Sequence, residues 1–321
     1  MEFRVLKYFL EIAREGSITH AAKRLNVTQP TMSKQLKDLE TELGQKLFIR
    51  TNYSIRLTEG GMLLKDRAED IIELVEKTKE EFKSLNDVYK GDIYIGSAES
   101  DSIKYFARAI KSLLEKYPDI KIHIRSGNIN DVTQRLDKGL LDFAIIMKMA
   151  DLSKYNYMDI PAKETWGIIL RKDDLLSKRE SLTLKDIQKL PLICSEQWIE
   201  QDVPEWFKQD ENKLNIVATY NLAYNAIIMA REGLGYVVSY DKLTYHNELC
   251  FIPIYPKQYS NMKIIWRKHQ TLTPIVKLLL KELEIVFRDN HKVNLWNINI
   301  ARNVVGMFLK FSYHFFAVHF L

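Results

Sequence analysis

The sequence predicts a multidomain α/β chain: a small helical domain first, then one long helix, then a larger domain of strands and helices. Three observations predict it. Residues 17–50 read as two helices and a turn followed by a short-strand pair, and Leu64 to Leu85 carry apolar residues at alternating spacings of four and three. Beyond Gly91, short apolar strands alternate with amphipathic helices, the pattern of βαβ units and a mostly parallel sheet. A chain of 321 residues, 46% hydrophobic and 28% charged, suits two or three domains with ample core.

Residues 2 to about 15 form the first expected helix, with Phe3, Leu6, Phe9, Leu10 and Ala13 as its apolar stripe. Gly16 is placed to end it in a left-handed conformation, which glycine adopts without steric cost. Ser17 is a cap for the next helix, which sets Ala21, Ala22 and Leu25 against Lys23 and Arg24. Asn26 and Val27 make a tight turn. Thr28 is expected to cap a third helix, whose first turn tolerates Pro30 because early N–H groups need no intrahelical partner. Met32, Leu36, Leu39 and Leu43 give that helix one buried stripe, and Gly44 ends it. Lys46–Arg50 and Ser54–Leu57 then read as two strands around Thr51, Asn52 and Tyr53, a wing.

Helix, turn and helix in this order suit DNA, because the second helix of such a motif offers its N-terminal side chains to base edges in the major groove. Gln29 can pair with adenine, Ser33 can reach a base or phosphate, and Lys34 can contact guanine or phosphate. Ser17, Lys23, Thr28, Pro30, Thr31, Lys37, Arg50 and Arg56 complete the candidate set for double-stranded DNA. The bland alternative is a three-helix scaffold with a solvated face. The overall charge of +5 decides little, but Ser17 to Arg56 hold seven Lys or Arg against Asp38, Glu40 and Glu42, and phosphate affinity follows local charge.

Thr58 opens the long helix, with Glu59 favourably placed near its positive end. Leu64, Ala68, Ile71, Val75, Thr78, Phe82 and Leu85 form a heptad stripe that calls for a partner helix, so all but Thr78 are assigned to dimerisation. The alternative is packing on the helix's own domain.

In the larger domain, strands are expected at Gly91–Gly96, Ile120–Gly127, Leu141–Ile146, Trp166–Leu170, Leu190–Cys194, Asn215–Thr219, Gly235–Val238, Phe251–Ile254 and Lys263–Trp266. Helices are expected at Ser100–Lys116, Asp131–Lys138, Tyr224–Arg231 and Thr273–Phe287. Ligands of open α/β sheets bind beyond the carboxyl ends of strands, near helix starts. Four such places hold Ser97, Glu99, Ser100 and Ser102; Ser126, Gly127 and Asn128; Ser195, Gln197 and Trp198; and Thr219 with Asn221. Hydroxyls and free N–H groups suit a small, often anionic ligand, whereas each residue taken singly reads as a helix cap. Trp198, Trp206 and Phe207 are either a cleft wall or core.

The segment AAKRLNVTQPTMSKQLKDLETELGQKLFIRT with IRLTEGG resembles the DNA-binding domain of LysR-type transcriptional regulators. The likeness rests on Ala21-Ala22, Leu25, Gln29-Pro30, Ser33, Leu39-Glu40, Leu43-Gly44, Leu47-Phe48, Arg50, Leu57-Thr58 and Gly61. It implies DNA contacts for Gln29, Pro30, Ser33 and Lys34, with Arg50 leading into the wing. Tyr53 departs from the pattern, since many relatives carry a basic residue there. GDIYIG, the Tyr117-Pro118 pair, LDFAI and EGLGYVV are similar to the effector-binding domain of the same family. That resemblance implies a two-lobed fold like periplasmic binding proteins, with a small-molecule effector between the lobes. It also implies homodimers that pair into homotetramers, and RNA polymerase as a further contact. The expected boundaries are 1–58 for DNA binding, 59–90 for the linker helix and 91–290 for the effector domain. Within the last, lobe I takes about 91–161 and 267–290, and lobe II about 162–266.

No GxSxG, Walker loop, HExxH or dinucleotide fingerprint occurs, so an enzyme is not expected. Cys194 and Cys250 form no zinc or CxxC pattern, and neither metal nor cofactor is expected. Charges at Glu2, Arg4 and Lys7 argue against a signal peptide, so the expected location is the cytoplasm. A regulator without an effector and a solute-binding protein are the alternatives. The apolar tail 291–321 is interrupted by Lys310, His314 and His319, and reads as an extension rather than a membrane anchor.

Overall fold

A computed structural model describes residues 1–50, 55–86, 89–147, 151–199, 214–243 and 246–289. The turn at Thr51, Asn52 and Tyr53, Trp206, Phe207 and the tail 291–321 lie outside these residues. Two compact units divide the chain, one of Met1–Asn86 with Lys138–Leu140 and one of the remaining residues.

The first unit holds α1 (Phe3–Glu15), α2 (Ile18–Arg24), α3 (Gln29–Leu43), β1 (Phe48–Arg50), β2 (Ile55–Leu57) and α4 (Glu59–Asn86). Gly16 ends α1 at φ 62, and the Ser17 hydroxyl accepts the His20 N–H at the start of α2. Thr28 precedes α3 without capping it; its hydroxyl instead meets that of Thr31 at 2.7 Å. Phe9, Ile12, Ala21, Met32, Leu36, Leu39 and Leu47 are the buried centre. Leu43 is 39% exposed, so the α3 stripe stops at Leu39, one turn short of expectation. The wing is closed by Thr58, whose hydroxyl donates to Lys46 O at 2.6 Å and accepts Gly61 N–H at 2.9 Å. Gly61 permits this approach, since a Cβ there would lie 2.1 Å from the Leu47 carbonyl oxygen.

The α4 stripe divides. Leu64 and Ala68 belong to the core of this unit, because α1 and the wing already cover them. Their assignment to dimerisation is therefore corrected. Ile71, Phe82 and Leu85 are exposed, and Val75 is half-buried.

The second unit comprises β3 (Gly91–Ser97), α5 (Ile103–Lys116), β4 (Ile120–Ser126), α6 (Ile129–Asp137), β5 (Phe143–Ile146), β6 (Tyr155–Arg171) and α7 (Leu184–Ile187). After them come β7 (Leu192–Ser195), α8 opening at residue 196, β8 (Ile216–Tyr220), α9 (Ala223–Arg231), β9 (Tyr236–Tyr240), β10 (Leu249–Pro253), β11 (Tyr259–Arg267) and α10 at 274–289. The strand order is β4-β3-β5-β11-β6-β9-β7-β8, with β10 on β6.

Parallel pairs β3–β4 and β3–β5 make one half-sheet, and β7–β8 and β7–β9 make the other. The expected mostly parallel sheet is in fact mixed. The 17-residue β6 runs through both halves, antiparallel to β11 over its first part and to β9 and β10 over its last. The strand 259–267 returns the chain to the first half, where it also pairs with β5. That strand therefore leaves the second lobe, which the sequence reading carried to residue 266. One continuous core backs both halves, from Ile93 and Phe106 to Ile193, Val237 and Leu279.

Candidate DNA-contact face and effector cleft

The start of α3 is exposed at Gln29, Pro30 and Thr31, as are Lys34 and Lys37 on the following turns. Met32, Leu36 and Leu39 bury the opposite side, which fixes this polar face outward. Gln29 Nε2 donates to Ser33 Oγ at 2.8 Å, an i,i+4 contact that orients the Gln29 side chain.

The basic residues fall into two groups. Arg24 pairs with Glu11 and Glu15, and Lys46 with Glu40 at 2.8 Å, so their charges are spent inside the fold. Lys23, Lys34, Lys37 and Arg56 are exposed and make no ion pair among the described residues. Arg50 stands opposite Ile55 in the wing register, and its side chain lies outside what is described. Partial burial works against the Glu40 charge, but the Lys46 ammonium and the Leu47 N–H outweigh it and hold this carboxyl below the usual range. The carboxylate thereby ties the end of α3 to the wing.

In the second unit, two adjoining recesses lie beyond the strand ends, both open to solvent. Asn128, Ser195 and Asn221 line the first; Ser97, Ser100 and Ser126 line the second; Glu99 borders both. Several of these polar groups are already engaged. Asn128 Oδ1 accepts Asp131 N–H at 2.9 Å and Ser195 Oγ accepts Trp198 N–H at 3.0 Å, so both serve as helix caps. The Ser100 hydroxyl donates to the buried Glu164 at 2.6 Å, and the Ser102 hydroxyl donates to the same oxygen.

Three assigned contacts are not in the cleft. Ser102 is 1% exposed and turned to Glu164, Trp198 is 2% exposed against Trp166, and Thr219 lies exposed on β8 away from both recesses. The reason is long-range for the first two, a buried carboxylate and an aromatic neighbour, and for Thr219 it is the alternation of faces along β8, which turns Tyr220 to the recess instead. Trp166, Glu196, Tyr220, Ser239 and Tyr240 line the first recess without having been singled out. Tyr220, next to Asn221 at a strand end, and Glu196, between Ser195 and Gln197, had a local signal. The Tyr220 hydroxyl donates to Val238 O at 2.8 Å, and burial pushes its pKa far above the usual tyrosine value.

Among the described residues no group of three His, Cys, Asp or Glu is placed to hold a metal ion, and no helix is long and apolar enough to cross a membrane.

Two family models match: residues 3–62 fit a bacterial regulatory helix-turn-helix protein of the lysR family, and residues 86–288 a LysR substrate binding domain. The uncharacterized HTH-type transcriptional regulator YvbU of Bacillus subtilis is 28% identical, over 74% of this chain and 81% of its own length. The HTH-type transcriptional regulator YtlI of the same organism is 28% identical, over 89% and 90%. Among solved structures, CbnR, a LysR family transcriptional regulator, superposes with a TM-score of 0.70 at 20% identity, covering 89% of this chain and 99% of that one. CbnR has also been solved with its target DNA, with a TM-score of 0.68, 20% identity and coverage of 89% and 100%.

Proposed function

Since this chain belongs to the lysR family of bacterial regulatory helix-turn-helix proteins, we propose that it regulates transcription by reading operator DNA with α3 under the control of a small ligand held in the second unit. Gln29 and Ser33 read bases, while Lys23, Lys34, Lys37, Arg50 and Arg56 neutralise phosphates. Ser17, Thr28, Pro30 and Thr31 complete the contact face. The observation that carries this reading is the set of cations around α3 that no carboxylate of the described fold takes up.

Residues 1–58 serve DNA binding, 59–90 the linker helix and 91–290 ligand sensing. Ile71, Val75, Phe82 and Leu85 on α4 join two copies, and these dimers pair into tetramers. The protein works in the cytoplasm, where its DNA is, and carries out no reaction of its own; the relatives it matches are regulators.

The test is binding of the full chain to a selected operator and to a mismatched duplex across a salt series. Gln29→Ala is expected to cost about 1–3 kcal/mol on the operator while sparing the mismatched duplex. Lys34→Ala is expected to weaken both equally and reduce the salt slope by about one. Equal losses on both duplexes from both changes contradict the division of roles.

A further inference from the structure

Among the described residues, the charged side chains that line the cleft are carboxylates. Resting on the ligand-sensing reading above, we infer that its effector is a small organic cation, a protonated or quaternary amine seated among Glu99, Glu196 and the rings of Trp166, Tyr220 and Tyr240.

Helix starts ordinarily attract anions through their free N–H groups and the helix dipole. At the starts of α9 and α5 the protein's own carboxylates already stand where an anion would sit. Glu99, just past the end of β3, accepts the Ala223 N–H at the start of α9 at 2.6 Å. Glu164, 1% exposed on β6, accepts the hydroxyls of Ser100 and Ser102 at the start of α5. An incoming carboxylate finds these particular donors taken and meets Glu99 as a like charge, which repels it.

The lining adds independent support. Glu99 uses one oxygen for Ala223 and leaves the other without a partner among the described residues. Glu196, exposed at the start of α8, makes no ion pair there either. No Lys, Arg or His lines either recess among the described residues. The Trp166 and Tyr240 rings lie 4.0 Å apart between centroids, 6% and 5% exposed, on the same recess. Aromatic faces attract cations through their quadrupole, more strongly where water is excluded. Unbalanced carboxylates beside such faces are the complement of an ammonium group.

The test compares n-butylammonium, tetramethylammonium, n-butanol and n-butyrate at neutral pH by thermal shift and calorimetry on the full chain. At least one ammonium probe is expected to bind more tightly than the alcohol or the acid. Glu99→Gln and Glu196→Gln are each expected to weaken that binding about tenfold, the scale of one charge-assisted hydrogen bond. Glutamine at 99 still accepts the Ala223 N–H, and unchanged thermal unfolding without probe verifies the fold. Tighter butyrate binding overturns the inference, as does ammonium binding that ignores both substitutions. If all four probes fail, the inference falls, and a mixed metabolite library then separates the two readings. Stabilisation by any anion or neutral compound leaves ligand sensing standing, and no binder at all removes both.

Discussion

The face of α3 and the cleft of the second unit use the same local device, a helix start rich in hydroxyl and amide side chains, and reach opposite ends. On α3, Lys34 and Lys37 stay exposed and unpaired and Gln29 binds only its own helix neighbour, so the face is left for an outside partner. At the starts of α5 and α9, Ser100, Ser102 and the Ala223 N–H are claimed by carboxylates 64, 62 and 124 residues away in sequence. A helix start is thus an offer of hydrogen bonds, and long-range packing decides whether a ligand or the protein takes it up.

The comparison breaks first at Trp198. As core, its removal by Trp198→Ala is expected to cost about 3–5 kcal/mol in urea unfolding of the second unit. A cleft contact would instead lose ligand binding at unchanged stability. Within α4 the same contrast recurs between covered and open positions. Phe82→Asp is expected to weaken self-association by about 2 kcal/mol or more in analytical ultracentrifugation with the fold intact, because Phe82 is 67% exposed. Dimers as tight as the parent's would remove Phe82 from the contact. The smallest effect lies at Glu40. Its folded pKa is lowered, so its stabilising contribution is full above the ordinary glutamate range and disappears as pH falls through the lowered value. Thermal melts of parent and Glu40→Gln are therefore expected to differ at neutral pH and converge in acid; a constant gap would assign the contribution to shape rather than charge.

Legibility in the sequence followed the range of the interactions. The stripe Met32–Leu39, the Ser17 cap and the left-handed Gly16 depend on neighbours within a few residues and were readable. The α1 stripe was read in part: Leu6 and Phe9 are core and Leu10 and Ala13 pack against it, but the buried Val5, Tyr8 and Ile12 fall outside the expected set. Leu64 and Ala68 fit the same heptad as Phe82, and nothing local tells which member α1 will cover. The strand expected at Lys263–Trp266 was legible as a strand though four residues short at its start, and its return to β5 was not, since strand pairing is settled by chain crossings rather than side-chain pattern. Glu99 was noticed beside Ser97 and Ser100, yet its bond to Ala223 appears only once both halves of the sheet meet.

The late return of β11 sets an order of events during synthesis. The first unit closes its core with residues no later than Ile72, so it can fold while most of the chain is still on the ribosome. The half-sheet containing β3, β4 and β5 waits for Tyr259–Arg267, the partner of β5 on its remaining side. A chain terminated before Tyr259 would pair a complete DNA-reading unit with a bare strand edge at Phe143–Ile146, an apolar run that invites pairing with other chains. Early stop codons in this gene are therefore expected to yield insoluble products, with the operator-reading half intact but trapped.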